Sequence, residues 1–326
     1  MLKSPKISEI KKWLEKNNPL ELFRDKNFAI KDIDPKPWSG HFNYLVKSGH
    51  RKFVLRFKGS EWGEPERGIV DEFKILKYVE KYRVAPRAYY LTRNFFGEPA
   101  LFEEYFEGKI FTAFPWQEQE KLLPQVARFI ARINKISFRK NALPFQEAMT
   151  SYRKNKKTWR ERLNTILRNR GTRSLGKKIE RILPQAEKAL QGYEECLGRV
   201  LRRSRPVFIF ESAHPGHLLK TKRGFRFLNW EQVSFGDPAY TIAVFLVSFA
   251  SHRDFSEIKN KMIQDYLKVN YILELEKLIE GRLKEREISN LIWGPWAHVR
   301  RLEAGLKEKG PDVSERFERV KKILTS

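Results

Sequence analysis

Residues Phe208 to Ala243 read FIFESAHPGHLLKTKRGFRFLNWEQVSFGDPAYTIA, and this stretch decides the fold. It continues an apolar run, Val207 to Phe210, that reads as a buried strand. His214-Pro215-Gly216 interrupts that run and the apolar pair Leu218-Leu219 follows. A second strand-like run, Phe225 to Leu228, leads directly into Asn229-Trp230-Glu231. The two runs bracket a loop, and Gly236-Asp237-Pro238-Ala239-Tyr240 closes the stretch.

Working outward, residues 7–17 place Ile7, Ile10, Trp13 and Leu14 at helical spacing ahead of the breaker Asn17-Asn18-Pro19. Phe42 to Lys47 and Lys52 to Phe57 read as strands joined by the turn Ser48-Gly49-His50. Gly68 to Lys81 reads as a helix with Ile69, Phe73, Leu76 and Val79 on one face. Ala88 to Arg93 and Ala100 to Phe106 form a second hairpin around Asn94-Phe95-Phe96-Gly97. Beyond Gly108 the pattern turns helical, with Leu122 to Ile133, Met149 to Arg170 and Lys177 to Tyr193 as periodic segments and further helices to Leu324. The boundary falls near Glu107-Gly108, giving segments 1–107 and 108–326.

The three motifs, in order and at matching spacing, resemble the aminoglycoside phosphotransferase/choline kinase family. That family reads H-G-D-x-H-P-G-N, then I-D-W-E, then G-D-P-x-x-D-L-A. The resemblance covers roughly residues 25–300 and implies an α+β, two-lobed protein-kinase-like fold. Residues 1–107 would be the small β-rich N-lobe. Residues 108–326 would be the large, mainly helical C-lobe, with the catalytic loop in 207–243. It also implies an ATP or other nucleotide site. Gly40-His41-Phe42-Asn43-Tyr44 would be the phosphate-covering turn, with Gly40 and Asn43 as candidate contacts. Arg56 would be the phosphate-holding cation and Glu72 its ion-pair partner. Glu103 to Glu107 would be the hinge that meets the base, through Glu104 and Phe106.

The chain departs from the family where the chemistry lies. The catalytic-loop Asp position holds Ser212, the magnesium-binding Asn position holds His217, and the second magnesium Asp position holds Asn229. Phe210 and Thr241 replace a His and an Asp of the same motifs, whereas His214, Pro215, Gly216, Trp230, Gly236 and Asp237 remain. Mg²⁺ is a hard dication that favours carboxylate and water oxygens, so a Ser, His and Asn set argues against it. Loss of base and metal together removes several kcal/mol of transition-state stabilisation, at tenfold in rate per ~1.4 kcal/mol. A rewired site is the rival reading, drawing on Glu211, Glu231, His214 and His217 for a new base or metal. Neighbours along an extended loop point in different directions, so Glu211 does not inherit the Asp's place without a loop shift.

Charge bears on the partner. Lys and Arg total 65 against 40 Asp and Glu, a formal net charge of +25. Residues 151–205 hold 17 basic and 5 acidic residues, so about half of that excess lies in one helical subdomain. Arg153, Lys156, Lys157 and Arg160 form a basic ridge beside the apolar stripe Trp159, Leu163, Ile166 and Leu167. Such a field repels cationic aminoglycosides and suits an anionic partner, RNA or a phosphorylated metabolite. The one cysteine, Cys196, rules out an internal disulfide. No apolar run spans a membrane, the longest being Ile242 to Ala250. Without an apolar segment after the N-terminal lysines, the expectation is a cytoplasmic protein, and the Lys/Arg/Glu-rich composition leans towards a thermophile. Three functions remain open at this point. They are a pseudokinase that keeps some nucleotide binding, an active phosphotransferase acting on a hydroxyl, and a nucleic-acid-binding module with no nucleotide site.

Overall fold

A computed structural model describes residues 5–17, 19, 28–33, 40–59, 68–137, 146–147, 152–203, 207–306 and 310–325. The chain divides into two compact units, Met1–Ile110 with Leu218–Gln232, and Phe111–His217 with Val233–Ser326. The division thus follows Ile110, and Leu218–Gln232 group with the first unit although the sequence reading placed them in the second lobe.

In the first unit, helix α1 (Ile7–Asn17) precedes strands β1 (Phe28–Asp32), β2 (His41–Ser48) and β3 (Arg51–Lys58). Helix α2 (Ile69–Val79) then leads to β4 (Ala88–Phe95), β5 (Glu98–Glu104) and β6 (Gly108–Ile110). The sheet runs β1-β2-β3-β5-β4, antiparallel throughout. Alternation along the strands sorts its two faces. Tyr44, Val46, Leu55, Phe57, Ala100 and Phe102 join Ile10 and Leu14 of α1 in one apolar core. Their neighbours Asn43, Arg56, Leu101 and Glu103 therefore point to the opposite face, where α2 packs.

Two details differ from the sequence reading. Strand β4 runs on to Phe95, which is buried, and the turn is only Phe96-Gly97. Both have positive φ, 53° and 89°, as a two-residue hairpin turn that follows the strand twist requires. The buried face of α2 consists of Ile69, Glu72, Ile75, Leu76 and Val79, with Phe73 only half-buried. A carboxylate thus occupies a core position, because it has a cation to meet there.

Later in the chain, β9 (Leu218–Thr221) and β10 (Gly224–Phe227) form a hairpin that joins β6 in the order β10-β9-β6. Gly108 permits that contact: a Cβ there would lie 2.5 Å from the Lys220 carbonyl oxygen.

The second unit contains helices α3 (Trp116–Asn134), α4 (Tyr152–Arg168), α5 (Arg173–Ala189) and α6 (Gln191–Arg203). Farther along lie α7 (Tyr240–Leu246), α8 (Phe255–Leu267), α9 (Leu275–Glu303) and α10 (Ser314–Thr325). A small sheet, β7 (Gln146–Glu147), β11 (Val233–Gly236) and β8 (Val207–Phe210), completes it in that order. The partner of β8 is therefore β11. The helix read at Lys177 to Tyr193 runs Arg173–Ala189 instead, and α6 begins at Gln191. Residues 149–151 of the helix read before it lie outside the described residues.

Helix α9 is the buried axis of this unit and carries charge inside. Arg282, 0% exposed, bonds to Asp237 Oδ2 and lies 3.6 Å from Glu285. Trp159 of α4 donates to Ser289 Oγ at 2.8 Å. No helix among the described residues is long and apolar enough to cross a membrane.

Candidate functional site

Arg56 is the centre of the first unit's polar face. It is 8% exposed, and its guanidinium is surrounded by acceptors from three parts of the chain. Nε donates to Glu72 Oε2 on α2 at 2.8 Å, and Nη1 donates to Asn43 Oδ1 on the neighbouring strand at 3.2 Å. Nη2 donates to His41 Nδ1 at 3.0 Å and to Asn229 Oδ1, and Glu231 Oε1 lies 3.7 Å from it. Asn43 and Arg56 meet because they are cross-strand partners, and His41 stands two residues along on the same face.

Asn229 and Glu231 reach the cluster by a backbone device. Asn229 adopts φ 67°, a left-handed conformation that Asn tolerates better than most residues. The turn brings the Trp230 amide to Glu72 Oε1 at 2.9 Å, so both oxygens of Glu72 are bonded. Trp230 is fully buried and its indole N–H donates to the Phe227 carbonyl at 2.7 Å. This explains why Trp230 survives beside a changed Asn229: it anchors the turn.

The hydrogen bonds fix a tautomer. Arginine only donates, so His41 Nδ1 accepts, and the ring proton sits on Nε2, which lies 3.2 Å from Glu231 Oε2. Burial acts to raise the pKa of Glu231, but the bond from His41, the charge of Arg56 and the bond from Asn229 outweigh it and hold the carboxyl below the ordinary range. Burial likewise opposes the charge on Arg56, and Glu72, Glu231 and Glu103 more than compensate. One guanidinium thus balances two carboxylates. A third, Glu103 on β5, is 8% exposed on the same face, and its pKa is pushed up to about 8, by burial first and then by Glu72, against Arg56.

Ligand-type atoms of His41, Glu72 and Glu231 lie within 4.8 Å of one another, the donor set of a metal site. Arg56 contacts all three residues, so the cation of this cluster is already part of the chain. The sequence reading missed the roles of His41 and Glu103. Strand alternation around Arg56 was the signal that would have found them.

The other predicted residues fall elsewhere. Gly40 precedes β2 and its carbonyl accepts from the Gly59 amide at 2.8 Å. His41 to Tyr44 lie within β2 and not in a turn, which corrects the expectation of a phosphate-covering turn there. Glu104 uses its amide on the Arg87 carbonyl at 2.8 Å and its carboxylate on the Arg87 amide at 3.2 Å. The Arg226 guanidinium covers the ring of Phe106 at 5.5 Å.

Glu211, Ser212, His214 and His217 belong to the second unit. His217 Nδ1 donates to the Ser212 carbonyl at 3.0 Å, and Gly216 N–H donates to His214 Nδ1 at 3.0 Å. Burial, then the charge of His217, holds the pKa of His214 below the ordinary range. These contacts brace a single 3₁₀ turn, Pro215–His217. Ser212 is buried and Glu211 half-buried. The replaced Asp at Thr241 has a structural substitute: its hydroxyl accepts from Phe210 N–H at 3.2 Å and from Asn134 Nδ2 at 3.3 Å.

Mg²⁺ does not fit this set. Asn229 offers a neutral amide oxygen already bonded to Arg56, His217 is a nitrogen donor, and neither position supplies a carboxylate. On the basic ridge, Lys157 lies 3.9 Å from Glu161 and Arg160 lies 2.8 Å from Glu187, while Lys156 is half-buried. The side chain of Arg153 lies outside the described residues.

The sequence profile of the phosphotransferase enzyme family (APH) matches residues 35–274. No curated protein matches. Among solved structures, the chain is similar to choline kinase from Cryptosporidium parvum Iowa II, with TM-score 0.69 and 15% identity over 98% of this chain and 96% of that one. It is also similar to a choline/ethanolamine kinase family protein from Mesorhizobium loti (0.65, 12%, 98% and 95%). A third is a thermostable mutant of aminoglycoside phosphotransferase APH(4)-Ia in ternary complex with AMP-PNP and hygromycin B (0.66, 12%, 98% and 98%). Identities this low establish the shared fold, the two-lobed kinase-like α+β arrangement expected from the motifs.

Proposed function

The chain belongs to the phosphotransferase enzyme family, and from that membership we propose that it is a pseudokinase: a kinase-like scaffold with impaired phosphoryl transfer, weak and metal-independent nucleotide binding, and an anionic partner. The observation that carries this reading is the enclosure of Arg56. In a kinase-like site the corresponding cation must be available to phosphate, with a metal to share the charge. Here its N–H groups already bond to Glu72, Asn43, His41 and Asn229. A triphosphate has to compete with these bonds, and no carboxylate at Ser212, His217 or Asn229 brings a dication to help. The AMP-PNP complex of a structural neighbour supports keeping a residual nucleotide site in the proposal.

A thermal-shift titration with ATP, alone and with Mg²⁺ or Mn²⁺, tests the reading. We expect a small stabilisation at millimolar ATP that metal leaves unchanged. Metal-dependent stabilisation, or ADP formation with any hydroxyl acceptor, would overturn it in favour of an active phosphotransferase with a rewired site. No shift under any condition would remove nucleotide binding from the proposal and leave the nucleic-acid-binding module.

A further inference from the structure

Several helices of this protein, α2, α8, α9 and α10, pair cations with carboxylates at short range. Asp71 and Lys74 lie at 3.2 Å, Lys77 and Glu80 at 3.5 Å, Asp265 and Lys268 at 3.4 Å. Arg300 and Glu303 follow at 2.7 Å, Glu315 and Arg319 at 2.6 Å, Glu318 and Lys321 at 3.2 Å. Helix α5 breaks this habit. It buries Gly176, Ile179, Leu183 and Ala186 and exposes Arg173, Lys177, Lys178, Arg181 and Lys188.

At 3.6 residues per turn, Arg173, Lys177, Arg181 and Lys188 project within about 80° of arc, and Lys178 widens this to about 140°. Ser174, Pro184 and Gln185 lie on the same face, and no acidic residue does. Glu180 borders it, and Glu187 is turned to Arg160. Among the described residues, Lys177, Lys178, Arg181 and Lys188 have no ion pair or hydrogen bond. Arg173 has only the Leu167 carbonyl, 3.1 Å from its Nε.

Like charges four apart on a helix destabilise it, and Arg173–Lys177–Arg181 is such a series. Among the described residues no carboxylate relieves that repulsion, whereas carboxylates do pair with cations on α2, α8, α9 and α10. The basic ridge of α4, by contrast, has two of its cations facing Glu161 and Glu187. The row on α5 extends roughly 22 Å, at 1.5 Å per residue.

We propose that the outer face of α5 binds the phosphodiester backbone of a nucleic-acid duplex without reading its sequence. The face offers no aromatic ring for base stacking and no acceptor-rich loop for base edges, which limits recognition to phosphate. It also has no large apolar side chain to insert among acyl chains, which argues against a lipid surface. The proposal names the anionic partner of the function given above and rests on that part of it alone. A chain that binds duplex through α5 and also turns over ATP would sink the pseudokinase reading and leave this one intact.

Fluorescence polarisation with a labelled 20-base-pair RNA duplex, and with a DNA duplex of the same sequence, tests it on the full chain. The variant K177Q/R181Q/K188Q removes three charges from the face. The variant K74Q/K268Q/K321Q removes three from paired positions elsewhere and leaves the same net charge. We expect at least a tenfold loss of affinity for the first and less than twofold for the second. The slope of log K against log salt should fall by about 2–3 in the first variant. Binding of either duplex in this pattern supports the proposal. Equal losses in the two variants would overturn it, because bulk charge would then suffice. Tighter binding to phosphatidylglycerol vesicles than to duplex, reduced by the same variant, would overturn it in favour of a lipid surface. A melting temperature for K177Q/R181Q/K188Q at or above that of the parent shows that the fold is intact.

Discussion

Replacing Glu103 with Gln tests the electrostatics of the Arg56 cluster most directly. Two carboxylates, Glu72 and Glu231, already share one guanidinium, so a third negative charge on the same buried face is unfavourable. Burial and Glu72 accordingly raise the Glu103 carboxyl from its ordinary 4.5 to about 8. Its folded-state value lies above its unfolded one, so the folded chain keeps a proton that the unfolded chain releases. The stability this provides is complete below 4.5, declines as pH rises, and is gone past 8. The full gap corresponds to roughly 5 kcal/mol as an upper bound, at ~1.36 kcal/mol per pH unit. Glu103→Gln keeps the neutral shape and removes the titration. Relative to the parent it should gain about 3 kcal/mol between pH 6 and pH 9, or several degrees in Tm. Thermal melts of both proteins at half-unit steps across that range are the assay, and shared titrations cancel in the difference. Parallel Tm curves would refute the reasoning, because Glu103 would then be ionised in the folded chain throughout.

Arg56→Lys should destabilise the protein by about 2–4 kcal/mol, because one ammonium cannot reach Glu72, Asn43, His41 and Asn229 in the geometry of a planar fork. Urea unfolding measures this, and a change under 0.5 kcal/mol would mean the cluster is far more plastic than its burial implies. Asp237→Ala should cost about 3–5 kcal/mol by taking from the buried Arg282 the carboxylate that bonds its Nε. The companion variant Asp237→Ala/Arg282→Met should recover much of that loss, and no recovery would show that Asp237 acts through its bond to the Ala239 amide instead.

The kinase-like fold was legible in the chain because its signals are local. Strand alternation in Phe42 to Lys47 and Lys52 to Phe57, helical periodicity in residues 7–17, and three motifs at fixed spacing need no partner far away. Sequence order also fixed which catalytic positions had changed, Ser212, His217 and Asn229, since they are defined by their neighbours in the motifs. The sequence left open what depends on a distant contact. The pairing of β8 with β11 is one case, because register is set by which apolar face must be covered.

Only tertiary structure determined what Arg56 does. Its acceptor Asn229 is 173 residues away and reaches it through a left-handed turn that no periodicity announces. The sequence could name a phosphate-holding cation; register, α2 packing and that turn enclosed it among protein acceptors. The same holds for the basic surface. The count of charges in 151–205 is written in the chain, but which of them stay unpaired depends on the packing of α4 against α5. That packing brings Glu187 to Arg160 and leaves Lys177, Arg181 and Lys188 to solvent. Ion pairing depends on distance in space, and sequence spacing supplies that distance only within a turn or two of one helix.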